Sequence, residues 1–147
     1  MAGYSDKPLA KKLGIKPNGK VALPRLPSEV QEELADALRE CQITNRGQAT
    51  LDFVLDFVTS EKQLRTSFSC WSRRLSPRGM LWMAWPKKIS GVPTELTENR
   101  IREIGLAEGW VDVKVCAINQ VWSGLKFVAR VKDRPANGEK RRSNRIR

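Results

Sequence analysis

Two hydroxyl groups and two ammonium groups follow two successive apolar segments of this 147-residue sequence. Thr59 and Ser60 come directly after the first segment, and Lys87 and Lys88 come shortly after the second. If the segments are neighbouring parallel strands, these groups and the N–H groups of a helix N-terminus converge at one edge of the sheet. Such a crevice suits an anionic ligand. Trp85, near the end of the second segment, is either an aromatic wall of that site or a core residue.

The same residues have a purely structural alternative. Thr59 or Ser60 can simply cap the helix that begins there. Lys87 and Lys88 can be solvated residues of a loop. Both alternatives stay open at this point.

A second group of polar side chains surrounds a predicted hairpin turn. Asn119, Trp122, Ser123 and Lys126 place an amide, an indole, a hydroxyl and an ammonium group in or beside that turn. This set could bind a phosphate, a peptide or a nucleic-acid base, since an indole beside a cation is typical of base recognition. Turn chemistry also explains Asn119 without any ligand.

Most of the net charge of +11 lies at the two ends of the chain. Residues 1–20 carry five Lys and one Asp, and residues 132–147 carry seven Lys or Arg and two acids, which leaves +2 for residues 21–131. The composition of the last segment predicts disorder. It is either a solubilising end or an arm that contacts nucleic-acid phosphates. The basic residues considered for that arm are Lys140, Arg141, Arg142, Arg145 and Arg147.

The composition excludes several classes of site. The sequence has no histidine, so neither a Ser-His-Asp triad nor a histidine-ligated zinc site can exist. Cys41, Cys70 and Cys116 are far apart and form no CxxC motif, so we predict neither a disulfide framework nor a metal site and expect small core residues. No apolar run approaches the roughly 18 residues of a membrane helix, and the start lacks the apolar core of a signal peptide. We expect a cytoplasmic protein.

The spacing of the apolar residues predicts helices and strands that alternate along the chain. The predicted elements are a helical turn at 8–14, strand 20–23, helix 28–40, edge strand 42–44, strand 51–58, a helix from Thr59 or Ser60 that includes Leu75, strand 80–85, a helix from Thr94 or Thr97 to Gly109, and strands 110–118 and 125–131. This order predicts an α/β fold with a mostly parallel sheet, helices on both faces and an antiparallel hairpin at the end. We expect a basic segment at 1–20, a Rossmann-like domain at 21–131 and a basic tail at 132–147.

Asp56 interrupts the strand predicted at 51–58. A buried acid needs a partner, which Lys87 or Lys88 could provide, and its pKa would then be perturbed. The alternative is that Asp56 and Asp52 lie on a strand face open to water. We expect the second arrangement.

Several motifs in order resemble a domain-of-unknown-function family of small bacterial proteins. They are the opening Met1–Ser5 with Lys7–Ile15, then Phe57–Ser60, Leu81-Trp82 through Trp85–Lys88, Val92–Thr94, Val111–Ala117 and Trp122–Lys126. The resemblance covers nearly the whole chain except the tail and residues 24–50. It implies a reduced class I methyltransferase-like, Rossmann-like fold whose sheet ends in an antiparallel hairpin. It implies no activity.

The residues after the first predicted strands argue against the cofactor of a methyltransferase. A nucleotide-type cofactor needs a glycine-rich turn there, but Pro24-Arg25-Leu26-Pro27 has no glycine and two residues without an N–H group. Residues 42–45 also provide no acid for a ribose. We therefore expect no cofactor and a non-catalytic protein that binds an anionic ligand or a partner. The alternatives are an S-adenosylmethionine-dependent methyltransferase with an atypical cofactor loop and a basic protein associated with nucleic acid or the ribosome.

Overall fold

Six strands form one sheet with helices on both faces in the computed structural model, which describes residues 8–130. The predicted tail at 132–147 lies outside the described residues. In chain order the elements are α1 (Leu9–Leu13), β1 (Lys20–Ala22), α2 (Ser28–Leu38), β2 (Gln42–Ile43), β3 (Leu51–Phe57), α3 (Glu61–Ser72), β4 (Leu75–Pro86), a 3-10 turn (Lys88–Ser90), α4 (Glu98–Ala107), β5 (Trp110–Ala117) and β6 (Trp122–Ala129).

The strands lie in the order β2-β1-β3-β4-β6-β5. β2, β1, β3 and β4 are parallel, whereas β6 is antiparallel to both of its neighbours. The prediction of an α/β fold with a terminal hairpin is therefore confirmed. Because β2 and β3 lie on opposite sides of β1, the strand order reverses between the carboxyl ends of β1 and β3. Open α/β sheets bind their ligands at such a switch point.

Each face of the sheet has its own apolar core. α3 and α4 cover one face, where Phe68 contacts Phe127 edge to face at 5.1 Å between ring centroids. α4 comes so close to the sheet that a Cβ on Gly105 would lie 2.3 Å from a ring carbon of Phe127. α1 and α2 cover the other face, where the buried Trp82 indole donates a hydrogen bond of 2.8 Å to the carbonyl of Leu13.

The predicted helix that included Leu75 ends earlier in the structure. α3 stops at Ser72, and Leu75 begins β4 and pairs with Leu51 of β3. The helical spacing of Leu75 arises because the residue is buried against the same core from the adjoining strand. Pro77 is accommodated because the β3–β4 pairing is irregular in this part of the strand.

The second strand of the terminal hairpin also begins earlier than predicted. β6 starts at Trp122, because the side-chain oxygen of Asn119 accepts hydrogen bonds from the N–H groups of Val121 and Trp122 and closes a tight turn. Trp122 and Ser123 therefore belong to a strand.

The three cysteines differ in burial from the expectation of core residues. Only Cys116 is buried, Cys41 is partly buried and Cys70 is exposed, and all three are free thiols. Cys70 lies on α3 and lines a small cleft together with Pro24 and Arg25 of the loop after β1. None of the helices within residues 8–130 has the length and apolar character needed to span a bilayer.

Candidate functional site

A cleft of about 460 Å³ opens at the carboxyl end of β4, which we call the β4–α4 cleft. Its lining residues come from the end of β4, the start of α4 and β6, namely Trp85, Pro86, Lys87, Lys88, Leu96, Thr97, Glu98, Asn99 and Ser123. Its volume lies within the range of roughly 300–1,000 Å³ that is usual for ligand pockets.

This cleft brings together several of the residues predicted to bind an anion. Trp85, Lys87 and Lys88 all line it. Ser123 joins them from the second predicted group, because Ser123 pairs with Trp85 across the antiparallel β4–β6 ladder. Trp85 is only 6% exposed and belongs to the core on that face, so it forms the floor of the cleft and part of the core at once.

The two lysines give the cleft a positive charge. Within residues 8–130, neither the Lys87 nor the Lys88 ammonium group forms a hydrogen bond or an ion pair. Glu98 is the acid in the lining, and its carboxylate already accepts a bond of 2.6 Å from Arg102. Arg102 in turn donates to Asp112 at 2.8 Å, and the bonds to both acids raise the pKa of Arg102. The carboxylate of Glu98 is therefore already paired with an arginine of the protein. Lys87 and Lys88 have no such partner within residues 8–130.

The first turn of α4 adds backbone donors to these charges. The hydroxyl of Thr97 caps the helix by accepting a bond of 3.1 Å from the N–H of Arg100. The N–H groups of Glu98 and Asn99 have no acceptor within the part of the chain that the structure describes. The positive end of the helix dipole thus lies beside two ammonium groups, an arrangement that favours an anion.

Thr59 and Ser60 lie outside this cleft. The Ser60 hydroxyl caps α3 by accepting a bond of 3.1 Å from the N–H of Gln63. The N–H and hydroxyl groups of Thr59 both donate to the side-chain oxygen of Gln63, and the Thr59 carbonyl accepts a bond from Thr94. These bonds correspond to the structural alternative, in which the residues fix the start of α3.

The residues around the hairpin turn do not form one surface. Asn119 closes the turn, and Trp122 packs edge to face on Phe57 with ring centroids 5.0 Å apart. Ser123 lines the β4–α4 cleft. Lys126 lies on the other sheet face, in register with Trp82 on β4. Successive residues of a strand point to opposite faces, which separates Ser123 from Lys126.

Asp56 is buried, so the expectation of a strand face open to water is wrong. Its side chain is 2% exposed and forms an ion pair of 2.8 Å with Arg25. It also accepts hydrogen bonds from Ser67 and, at 2.9 Å, from the indole of Trp71. Its partner is therefore neither of the lysines of the β4–α4 cleft. Asp52, four residues earlier in β3, is exposed as expected and accepts a bond of 2.9 Å from the N–H of Lys20.

Arg25 is the residue at the switch point that sequence patterns missed. It has a left-handed backbone with φ of 58°, and its guanidinium donates both to Asp56 and, at 3.0 Å, to the carbonyl of Phe57. The loop after β1 is thereby tied to the end of β3. The signal in the sequence was a cation between two prolines in that loop, together with an acid in a buried strand.

The residues at this switch point do not fit S-adenosylmethionine. The loop after β1, where a cofactor-binding turn needs glycine, has Arg25 at its position of positive φ. The Arg25 side chain crosses the crevice between β1 and β3. The N–H of Leu23 is already taken by the side chain of Asn45 at 2.8 Å. The remaining cleft beside Arg25, Asp56 and α3 measures about 270 Å³, below the usual range for ligand pockets.

A parallel α/β sheet with a switch point and a terminal antiparallel hairpin defines a Rossmann-like fold of the methyltransferase type. Solved structures with this fold are similar to the chain, although sequence identity is low. A SAM-dependent methyltransferase from Aquifex aeolicus has a TM-score of 0.56 and 17% identity over 81% of this chain and 86% of its own. Fibrillarin, a pre-rRNA processing protein from Methanococcus jannaschii, has a TM-score of 0.53 and 13% identity over 86% and 70%.

A third similar structure contains bound S-adenosylhomocysteine. The 1,6-didemethyltoxoflavin-N1-methyltransferase of Burkholderia thailandensis, solved with S-adenosylhomocysteine, has a TM-score of 0.53 and 14% identity over 81% of this chain and 73% of its own. No protein-family model matches the sequence, and none of the curated proteins is similar to it. The comparisons therefore establish the methyltransferase-like fold.

Proposed function

We propose that this protein binds a small anionic molecule in the β4–α4 cleft and does not catalyse a reaction on it. The observation that supports this function most strongly is that Lys87 and Lys88 line the same cleft as the first turn of α4. Ammonium groups and free helix N–H groups recognise phosphate, sulfate or carboxylate by the same physical means.

The floor of the cleft narrows the ligand class. Trp85 and Leu96 belong to the apolar core and also line the cleft. A ligand that has one anionic group and one apolar part satisfies both the lysines and this floor. A phosphorylated or carboxylated metabolite with an aromatic or aliphatic body is therefore the class we propose.

The lining residues offer binding groups rather than a catalytic pair. The hydroxyl of Ser123 is a group that can act as a nucleophile, but it needs a base that can take its proton. Glu98, the acid in the lining, is already bonded to Arg102 at 2.6 Å. The sequence has no histidine to act instead.

The test is a thermal-denaturation titration with inorganic phosphate, sulfate and a phenyl phosphate at equal ionic strength. A ligand at about 100 times its Kd adds roughly 2.7 kcal/mol of stability, so binding raises the Tm measurably. We expect the rise in wild type and its loss in Lys87→Ala/Lys88→Ala. The matched control is Arg73→Ala/Arg78→Ala, which removes two exposed cations outside the cleft. An equal anion response in both variants would place the site elsewhere.

A second candidate function is that of an S-adenosylmethionine-dependent methyltransferase. The similarity to solved methyltransferase structures favours it, whereas the residues at the switch point oppose it. Calorimetric titration with S-adenosylhomocysteine distinguishes the two functions. Saturable binding that Arg25→Gly strengthens would favour the methyltransferase, because that change opens the crevice. Absence of binding in both proteins would favour the anion-binding function.

The family of the protein and its location in the cell are also proposals. We propose that the protein belongs to the family of small bacterial proteins that its motifs resemble, and that it acts in the cytoplasm. The methyltransferase-like fold supports the first assignment, since the resemblance implies that fold. Mass-spectrometric detection of the protein in separated cell fractions tests the second.

A further inference from the structure

A second positively charged surface lies on the sheet face that carries α1. Lys126 of β6 is in register with Trp82 of β4 on one side and with Lys114 of β5 on the other. Trp82 donates to the carbonyl of Leu13, so this row lies beside the end of α1. The β4–α4 cleft belongs to the opposite face, because Trp85 and Leu96 pack in the core under α3 and α4.

Two lysines from the N-terminal part of the chain join this row. The Lys114 ammonium donates to the carbonyl of Lys12 at 3.1 Å, and that of Lys12 reaches the carbonyl of Ala117 at 3.5 Å. Lys16 is close enough to act electrostatically on Lys126, as Lys114 also does. We call Lys12, Lys16, Lys114 and Lys126 the four-lysine surface.

The charges on this surface are unfavourable for the folded chain by itself. Lys114 and Lys126 are direct cross-strand neighbours, and like charges in that position repel each other. Partial burial and the positive charges of Lys114 and Lys16 together lower the pKa of Lys126. Within residues 8–130, Lys16, Lys114 and Lys126 form no ion pair with an acid. An external polyanion would supply the missing negative charge.

We propose that the four-lysine surface binds the phosphate backbone of double-stranded nucleic acid. The surface presents several ammonium groups together, from lysines of α1, of the segment after it and of two strands. Each ammonium group has three hydrogen-bond donors, so Lys114 can contact a phosphate while it keeps its bond to the carbonyl of Lys12. Single-strand binding needs exposed aromatic rings for base stacking. The exposed large apolar residues of the described region are all aliphatic, including Val113 and Val115 on β5. This composition favours contacts to the backbone of a duplex.

The test is the salt dependence of binding to a fluorescein-labelled DNA duplex, followed by anisotropy with the full chain. Each phosphate neutralised contributes about 0.9 to the slope of log K against log salt. We expect Lys114→Gln/Lys126→Met to lower that slope by about 1.8 between about 50 and 200 mM salt. The control Arg73→Gln/Arg78→Gln removes the same charge elsewhere and should leave the slope within error of wild type. Both variants keep residues 1–7 and 131–147, so any contribution of those segments is equal.

Folding of the variants is checked by thermal denaturation, and Lys16→Gln provides a variant at an exposed position outside the strands. We expect that single change to lower the slope by about 0.9. The proposal is overturned if wild type does not bind the duplex at about 50 mM salt. It is equally overturned if the variants of the four-lysine surface have the same slope as the control. Stronger binding to single strands or to anionic lipid vesicles than to the duplex would also overturn it.

Discussion

Arg25 and Asp56 form an ion pair of 2.8 Å that joins the loop after β1 to the buried end of β3. Asp56 also accepts bonds from Ser67 and Trp71, so α3 is tied to the same carboxylate. This network lies at the position where open α/β sheets usually bind a ligand. The protein has the fold of a methyltransferase, but protein side chains occupy the crevice on which cofactor binding would depend.

Arg25→Ala should destabilise the protein by about 1–3 kcal/mol, because it leaves a buried carboxylate without its charged partner. The lower part of that range is expected, since the Arg25 side chain is 49% exposed and water can partly replace it. Urea denaturation measures the change. Arg46→Ala, which removes an exposed cation, is the control. Equal stability of both variants would show that the pair does not stabilise the fold.

The ion pair of Glu61 with Arg100 should make the protein lose stability at acid pH. Arg100 donates to both oxygens of Glu61 at 2.6 and 3.1 Å, and these bonds lower the pKa of that carboxyl below its ordinary value of 4.5. A lowered pKa gives stability that is present above pH 4.5 and is lost as the pH falls through the folded-state value.

The variant Glu61→Gln should therefore be less stable than wild type at neutral pH, and the difference should disappear in strong acid. Urea midpoints in a series of buffers from neutral to below the ordinary pKa measure this. Glu32→Gln on the exposed face of α2 is the control. A difference that is independent of pH would mean that Glu61 acts by packing instead of charge.

Lys126→Met should stabilise the protein at neutral pH, because it removes repulsion from Lys114 and keeps the alkyl chain against the sheet. The pKa of Lys126 is lowered, so its unfavourable charge is fully present below the folded-state pKa and is relieved as the pH rises toward 10.5. The advantage of the variant should shrink over that range. Lys62→Met on α3 serves as the control, and loss of stability in Lys126→Met at neutral pH would contradict the prediction.

Gly105→Ala should destabilise the protein by about 1–3 kcal/mol through overpacking. The new Cβ would lie 2.3 Å from the ring of Phe127, and the gain in helix propensity of up to about 1 kcal/mol does not offset that contact. Thermal denaturation measures the loss. Adding Phe127→Leu to the variant should recover part of it, whereas a purely additive double variant would show that the two residues do not collide.

Local patterns in the sequence predicted most of the elements. β3 and the hairpin strands follow from runs of apolar residues, and α4 follows from its cap at Thr97 and its apolar spacing. The alternation of these elements was enough for the fold class. Leu75 shows the limit of such patterns, because a residue buried from a strand can continue the spacing of the helix before it.

The candidate sites depended on strand register and packing across the sheet. Trp85, Lys87 and Lys88 could be associated from the sequence, but Ser123 joins them only through the β4–β6 register. The ion pair of Arg25 with Asp56 and the row of Lys126 beside Lys114 join residues from different elements. Apolar periodicity reports only which side of one element is buried. Which charges become neighbours is decided when distant segments pair, and tertiary structure alone determines that.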